Sequence, residues 1–147
     1  MLQDLLPAAH IRIEPMAHDW RHAIELATAP LIESGTIAPS YVEALYRSHE
    51  ALGPYYVLGP GIAMPHARPE DGVNRLGLGL TVIKQGVEFG SEGNDPVHLL
   101  VTLAACDSDS HVQTIAALAE LFMNDDDVAA LIAAVTVDDI ERIIARY

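Results

Sequence analysis

Four apolar segments in the middle of the chain constrain its fold most strongly. They lie at Tyr55 to Leu58, Ile62 to Met64, Leu76 to Lys84 and Val97 to Cys106, and glycine and proline separate them. Short apolar runs bounded in this way are typical of buried strands. Because helical patterns precede and follow this block, the sequence predicts an α/β fold, with a mixed β-sheet flanked by helices.

The rest of the chain carries apolar residues at helical spacing, which predicts five helices. Capping residues, glycine and proline give their approximate bounds, which are Asp19 to Gly35, Pro39 to Gly53, Ser110 to Phe122, Asp127 to Ala134 and Thr136 to Tyr147. No repeat, low-complexity tract or linker separates them. We therefore expect one compact domain over residues 1–147.

Length and composition narrow the classes of protein to consider. With 147 residues, half of them hydrophobic, the chain can form a core without disulfides or a structural metal. Its 8 basic and 21 acidic residues give a net charge of −13, which argues against nucleic acid and anionic membranes as partners. No apolar stretch reaches the roughly 18 residues of a membrane span, so we expect no membrane insertion. The single cysteine, Cys106, suits a reducing cytosol, and a cytoplasmic location is predicted.

His66 is the strongest candidate for a reactive residue. It ends the stretch Gly59 to Ala67, in which prolines and small residues hold it after an apolar run. An imidazole titrates near neutral pH and is a good nucleophile, so His66 could accept a group or carry a proton. A loop histidine can equally be structural, and the pattern alone leaves both interpretations open.

His111 is a second candidate, because it lies near a predicted helix start. Ser110 and Gln113 form a capping-box pattern that places His111 in the first helical turn. Backbone N–H groups and the helix dipole favour an anion there. The aspartates Asp107 and Asp109 would instead repel a phosphate, so the local electrostatics act in both directions.

Two arginines could neutralise a transferring phosphoryl group. Arg47 has the planar, multiply donating side chain that suits this task, although a surface ion pair with Glu43 is an equally good interpretation. Arg68 is a weaker candidate, since it follows His66 by two residues in a loop that Pro69 makes extended. Spacing alone does not decide between the two interpretations of Arg47.

Other chemistries find little support in the sequence. A Walker-type loop, a dinucleotide fingerprint and paired cysteines are all missing from the sequence. His18 and His22 have a spacing that could share a metal, but solvated surface residues are the simpler interpretation. His49 lies on an apolar helix stripe, where we expect a hydrogen-bonded, partly buried histidine. Cys106 ends an apolar run and is expected to be a buried thiol.

Taken together, three segments resemble a known family, the enzyme IIA domains of the fructose/mannitol type (type 2) of the bacterial phosphoenolpyruvate-dependent sugar phosphotransferase system. Leu58 to Ala67 looks like its phosphohistidine signature, and Tyr41 to Arg47 and Asp109 to Gln113 are similar to the segments that carry its arginine and second histidine. The sequences of the segments Gly53 to Leu58 and Pro65 to Val73 are most similar to the ascorbate-specific branch of the family.

This resemblance implies a phosphoryl relay. His66 would accept a phosphoryl group from the phosphohistidine of the carrier protein HPr and pass it to a cysteine of a separate enzyme IIB, with His111 and Arg47 stabilising the transfer. The membrane permease, enzyme IIC, would be a separate and indirect partner, and no metal, nucleotide or other cofactor is expected. The acidic surface would suit a more basic HPr, with an apolar rim near Gly59 to Pro65 as the contact patch.

Two other functions remain open on the sequence. A domain of the same fold could be a regulator whose phosphorylation state tunes another protein without coupling to transport. A hydrolase could instead hold a metal on His66 and His111. Within the relay interpretation, the sugar is not named by the sequence, although the similarity to the ascorbate-specific branch favours ascorbate.

Overall fold

The computed structural model describes residues 1–107, 109 and 111–147. Within these ranges the five strands are β1 Ile11–Glu14, β2 Val57–Gly59, β3 Ile62–Ala63, β4 Gly77–Val87 and β5 Val97–Ala104. The five α-helices are α1 Trp20–Glu33, α2 Pro39–Leu52, α3 Val112–Phe122, α4 Asp125–Ala133 and α5 Val137–Ile144. Short 3-10 helices cover Leu2–Asp4, Ala8–His10 and Pro69–Asp71.

The sheet is mixed, as predicted. Its strand order is β1-β4-β5-β3-β2. β4 and β5 run antiparallel in the centre, and each has a parallel neighbour on its outer side, β1 and β3 respectively. β2 pairs antiparallel with β3 at one edge. The two-residue connection between them uses Gly61 at φ 78°, a conformation that glycine adopts without strain.

Two apolar layers cover the two faces of this sheet. Leu99, Val101 and Leu103 of β5 pack on the side of α3, α4 and α5. The alternate residues Leu100 and Ala104 pack on the side of α1 and α2. Each fully buried leucine contributes about 1.5–3 kcal/mol, so a register slip that turned one set outward would be strongly disfavoured.

Local capping signals explain where the first two helices begin and end. Asp19 accepts a hydrogen bond from the backbone N–H of His22 at 2.8 Å and caps α1. Pro39 occupies the first turn of α2, and Gly53 at φ 78° ends it. The predicted capping box at Ser110 involves a residue outside the described ranges.

The structure differs from the sequence predictions in one strand, β1, and in the exposure of Cys106. β1 was not predicted, because it has only four residues and its apolar alternation is too short to stand out. The prediction of a buried Cys106 thiol is wrong, because β5 ends at Ala104 and Cys106 lies in the exposed bend that follows. Among the described residues, no helix combines the length and apolar character that crossing a bilayer requires.

Candidate active site

The loop after β3 carries His66 and is held by backbone hydrogen bonds to the sheet. The N–H of Met64 donates to the carbonyl oxygen of Tyr56 at 2.9 Å. The N–H of Leu103 in β5 donates to the carbonyl oxygen of Pro65 at 3.0 Å. The backbone immediately before His66 is therefore fixed to both neighbouring strand segments.

The imidazole of His66 is fixed in one tautomer. Its Nδ1 lies 2.8 Å from the carbonyl oxygen of Met64. A carbonyl only accepts hydrogen bonds, so Nδ1 must carry the proton. In the neutral ring, Nε2 then holds the free lone pair and is the nucleophilic nitrogen.

Tyr55 restricts the same ring further, and sequence reasoning missed it. The rings of Tyr55 and His66 meet edge to face, with centroids 5.7 Å apart and an interplanar angle of 83°. The Tyr55 hydroxyl also donates to the carbonyl oxygen of His66 at 3.3 Å. The only sequence signal was an aromatic pair, Tyr55 and Tyr56, just before the histidine stretch.

His66, His111 and Arg68 line one cavity of about 450 Å³ at the end of the sheet. Its lining consists of His66, Ala67, Arg68, Pro69, Glu70, Leu103, Ala105, Asp107 and His111. The apolar part of this wall is formed by Ala67, Pro69, Leu103 and Ala105. The structure therefore brings together the two histidines selected from the sequence, although 44 positions separate them in the chain.

His111 faces this cavity from the N-terminus of α3. It is the N-cap residue of that helix, and its side chain makes no capping hydrogen bond. Its Nδ1 is buried and has no hydrogen-bond partner among the residues that the structure describes. An unsatisfied buried polar atom is destabilising by about 1–3 kcal/mol.

Of the two candidate arginines, only Arg68 lines the cavity with His66. Arg47 is exposed on α2, on the same helix face as Glu43 and Glu50. Glu50 on that face pairs with Arg21 of α1. Arg47 makes no ion pair within the described part of the chain, so the structure does not support the surface pair with Glu43 either.

The cavity wall carries charges of both signs. Arg68 supplies one guanidinium, while Glu70 and Asp107 supply carboxylates. All three side chains are exposed, so water screens their fields at the cavity mouth. This arrangement can attract an anion locally without holding it as tightly as a fully cationic pocket would.

The chain matches a family model over residues 4–147, and that model is described as "Phosphoenolpyruvate-dependent sugar phosphotransferase system, EIIA 2". The protein belongs to this family. The family prediction made from the sequence is thereby confirmed, and this enzyme IIA domain is a phosphotransferase with a phosphohistidine intermediate, a relay of the sugar phosphotransferase system.

Known relatives of this enzyme IIA domain cover nearly its whole length. The mannitol-specific cryptic phosphotransferase enzyme IIA component of Escherichia coli K12 is 40% identical over 146 residues, which are 99% of this chain and 98% of the relative. Its solution structure superimposes with a TM-score of 0.90, over 99% of each chain, and confirms the predicted fold class. The ascorbate-specific enzyme IIA component of Salmonella typhimurium LT2 is 36% identical over 137 residues, 92% of this chain and 89% of the relative.

A third match comes from a complex. The structure of enzyme IIAMTL with phosphorylated enzyme IIBMTL from Escherichia coli matches with a TM-score of 0.82 and 28% identity, covering 97% of this chain and 100% of that one. That protein therefore shares the fold of this enzyme IIA domain.

The remaining histidines of this enzyme IIA domain have structural partners. His49 is buried, and its ring stacks on that of Trp20 with centroids 3.8 Å apart. Its Nδ1 lies 2.6 Å from the Tyr56 hydroxyl oxygen. Burial lowers its pKa. The Nδ1 of His22 accepts a hydrogen bond from the backbone N–H of His18 at 3.0 Å, which agrees with the surface interpretation of that pair. Across residues 1–107, 109 and 111–147, no three His, Cys, Asp or Glu side chains cluster as metal ligands would.

Proposed function

We propose that His66 is the residue phosphorylated in this relay, at Nε2, and that phospho-HPr is the donor and a cysteine of a separate enzyme IIB the acceptor. One observation carries most of the argument. The Met64 carbonyl holds the proton on Nδ1 and leaves the Nε2 lone pair free, on a ring that lines a cavity shared with His111 and Arg68.

The proposed relay consists of two phosphoryl transfers, and each forms one bond to phosphorus and breaks another. In the first, the Nε2 lone pair of His66 forms an N–P bond, while the N–P bond of the donor breaks and its electron pair returns to the donor nitrogen. The Nδ1 proton stays on the ring, where the Met64 carbonyl stabilises the developing positive charge. In the second, a cysteine thiolate attacks phosphorus and the electron pair returns to Nε2.

Arg68 and His111 stabilise the transferring group in this proposal. Charge spreads over the equatorial oxygens of a loose phosphoryl-transfer transition state, so nearby donors and cations accelerate the reaction. Arg68 lines the cavity and makes no ion pair with a described residue, and His111 lines the same cavity at the N-terminus of α3. Glu70 and Asp107 oppose the anion, which prevents the phosphorylated state from becoming too stable to pass the group on.

Both partners would dock on the face that opens at this cavity. The net charge of −13 favours a donor with a basic surface. The apolar rim expected near Gly59 to Pro65 is exposed at Leu58, which has 51% of its surface accessible, while Ile62 is buried. We therefore assign the contact role to Leu58, which directly precedes this segment.

For the transported sugar we propose ascorbate, with enzyme IIC as the indirect membrane partner and the cytoplasm as the location. The sequence around His66 supports ascorbate, and one relative is named ascorbate-specific. Another is named mannitol-specific. Parallel assays with the enzyme IIB of an ascorbate system and that of a mannitol system would compare the two sugars directly.

The decisive experiment is incubation with phosphoenolpyruvate, enzyme I and HPr, followed by intact-mass analysis. We expect a gain of one acid-labile phosphoryl group in the wild type and in His18→Ala, whose histidine is exposed outside the cavity, and none in His66→Ala. No gain with active HPr would contradict the proposal. Gain without transfer to any enzyme IIB would favour the regulatory alternative.

A further inference from the structure

Tyr41 connects the His66 loop to the central strand through its hydroxyl. It lies at the start of α2, and its side chain is fully buried. The backbone N–H of Ala67, the residue after His66, donates to the Tyr41 hydroxyl oxygen at 2.9 Å. The hydroxyl in turn donates to the carbonyl oxygen of Leu103 in β5 at 2.7 Å.

The direction of these hydrogen bonds is well determined. A tyrosine hydroxyl has one proton to donate, and the other nearby acceptor, the carbonyl oxygen of Ala67, lies at 3.5 Å. The shorter and better bond goes to Leu103. Burial raises the pKa of Tyr41 to about 12, so the hydroxyl keeps its proton throughout the physiological range.

The two residues beside His66 are consequently tied to the same residue of β5. On one side, the N–H of Leu103 donates directly to the carbonyl oxygen of Pro65 at 3.0 Å. On the other side, Ala67 reaches the carbonyl of Leu103 through the Tyr41 hydroxyl. Removing that hydroxyl would leave the loop anchored before His66 and loose after it.

Leu103 also leads into the opposite wall of the cavity. The chain continues from it through Ala105 and Asp107 toward His111, and these residues line the cavity with His66. The Tyr41 hydroxyl thus connects the loop that carries the nucleophile to Leu103, a residue of the same cavity wall.

We propose that Tyr41 is a positioning residue for phosphoryl transfer, holding Nε2 of His66 in line with the incoming phosphorus. This inference rests on the proposed role of His66. In-line transfer is sensitive to geometry, because a misplacement of about 1 Å can slow an enzymatic step by about a hundredfold. Loss of one of two anchors is a smaller disturbance, and we expect a rate effect of about tenfold.

The test compares Tyr41→Phe with Tyr56→Phe. Both tyrosines are buried, and each variant deletes one hydrogen-bonded hydroxyl, but that of Tyr56 bonds to His49 Nδ1 at 2.6 Å. The Tyr56 carbonyl oxygen that accepts from the N–H of Met64 belongs to the main chain and is retained in Tyr56→Phe. We expect Tyr41→Phe to lower the maximal rate of phosphorylation by phospho-HPr about tenfold with an unchanged KM, and Tyr56→Phe to stay within about twofold of wild type. A general loss of stability would affect both variants alike.

Several outcomes separate this inference from the proposed function. If wild type is not phosphorylated, the proposed function fails. If wild type is phosphorylated and the two variants transfer equally fast, the role of Tyr41 is overturned while the relay stands. Hydrogen exchange at the Ala67 amide gives a readout independent of transfer: we expect protection in wild type and Tyr56→Phe and faster exchange in Tyr41→Phe. Rapid exchange in wild type would also overturn the role, even if Tyr41→Phe failed to fold.

Discussion

His66 donates its Nδ1 proton to the carbonyl oxygen of Met64, two residues earlier, at 2.8 Å. Because a backbone carbonyl cannot donate, this single contact selects the tautomer and directs the other nitrogen to the chemistry. The contact uses main chain, so substitution of Met64 would leave the acceptor in place. The nucleophile of the proposed relay is thus defined by backbone geometry.

The first prediction concerns the isomer of phosphohistidine. We expect phosphorylation of His66 at Nε2, since Nδ1 is occupied by its bond to Met64. Nitrogen-15 and phosphorus-31 NMR of the phosphorylated protein distinguish the two isomers, and the unphosphorylated protein should show a protonated Nδ1. Detection of the Nδ1 isomer would contradict the prediction, because it would show that the imidazole leaves its hydrogen bond to Met64 before it reacts.

The second prediction distinguishes the two arginines. Arg68→Ala should lower the rate of phosphoryl transfer about 10- to 100-fold, since it removes the guanidinium on the cavity wall. Arg47→Ala should leave the rate within about twofold, because Arg47 is exposed outside this lining. Single-turnover transfer from phospho-HPr measures both. The reverse ranking would restore Arg47 to the role predicted from the sequence.

The third prediction tests the docking rim. Leu58 lies beside a groove of about 320 Å³ that Ile62, Phe122 and Val128 also line. Replacing this exposed apolar side chain in Leu58→Asp should raise the KM for phospho-HPr about tenfold, with the maximal rate retained. An unchanged KM would remove Leu58 from the contact patch.

Val135→Asp is the matched control for this experiment. Val135 is also an exposed apolar residue, with 79% of its surface accessible. It lines neither the groove at Leu58 nor the cavity at His66. We therefore expect Val135→Asp to keep the wild-type KM.

The fourth prediction is a pH dependence of stability. Burial, aided by the charge of Arg21, lowers the pKa of His49 below its ordinary 6.5, while its bond to the Phe89 backbone and Asp95 act in the opposite direction. Below pH 6.5 the unfolded chain therefore binds a proton more readily at this position than the folded protein does. Its contribution to the free energy of unfolding is full above pH 6.5 and decreases as the pH falls toward the folded pKa.

Urea unfolding at pH 7.5 and 5.5 checks this prediction. His49→Phe should lose part of the difference in free energy of unfolding between the two pH values. It should also be less stable at both, by about 1–3 kcal/mol, because the Tyr56 hydroxyl loses its partner. His18→Gln, at an exposed position, should keep the wild-type difference. An equal difference in all three proteins would contradict the assignment to His49.

Local patterns were sufficient for much of the fold. Asp19, Pro39 and Gly53 mark helix ends through interactions within a few residues, and the structure places α1 and α2 accordingly. The strands of the central block were found for the same reason, since their apolar runs are bounded by glycine and proline. β1 was not predicted, because its pairing with β4, a strand far along the chain, is what makes this short segment a strand.

The sequence by itself determined the family, the mixed sheet between helices and the selection of His66 and His111, because these follow from contiguous motifs and periodicity. Only the tertiary structure decided which side chains reach them. Along α2, Arg47 lies about 240° around the helix from Tyr41, so one projects toward solvent while the other reaches the His66 loop. Helical spacing already places Arg47 with Glu43 and Glu50, but the contact of Tyr41 with the loop depends on how the whole helix packs on the sheet, a long-range property that no local pattern encodes.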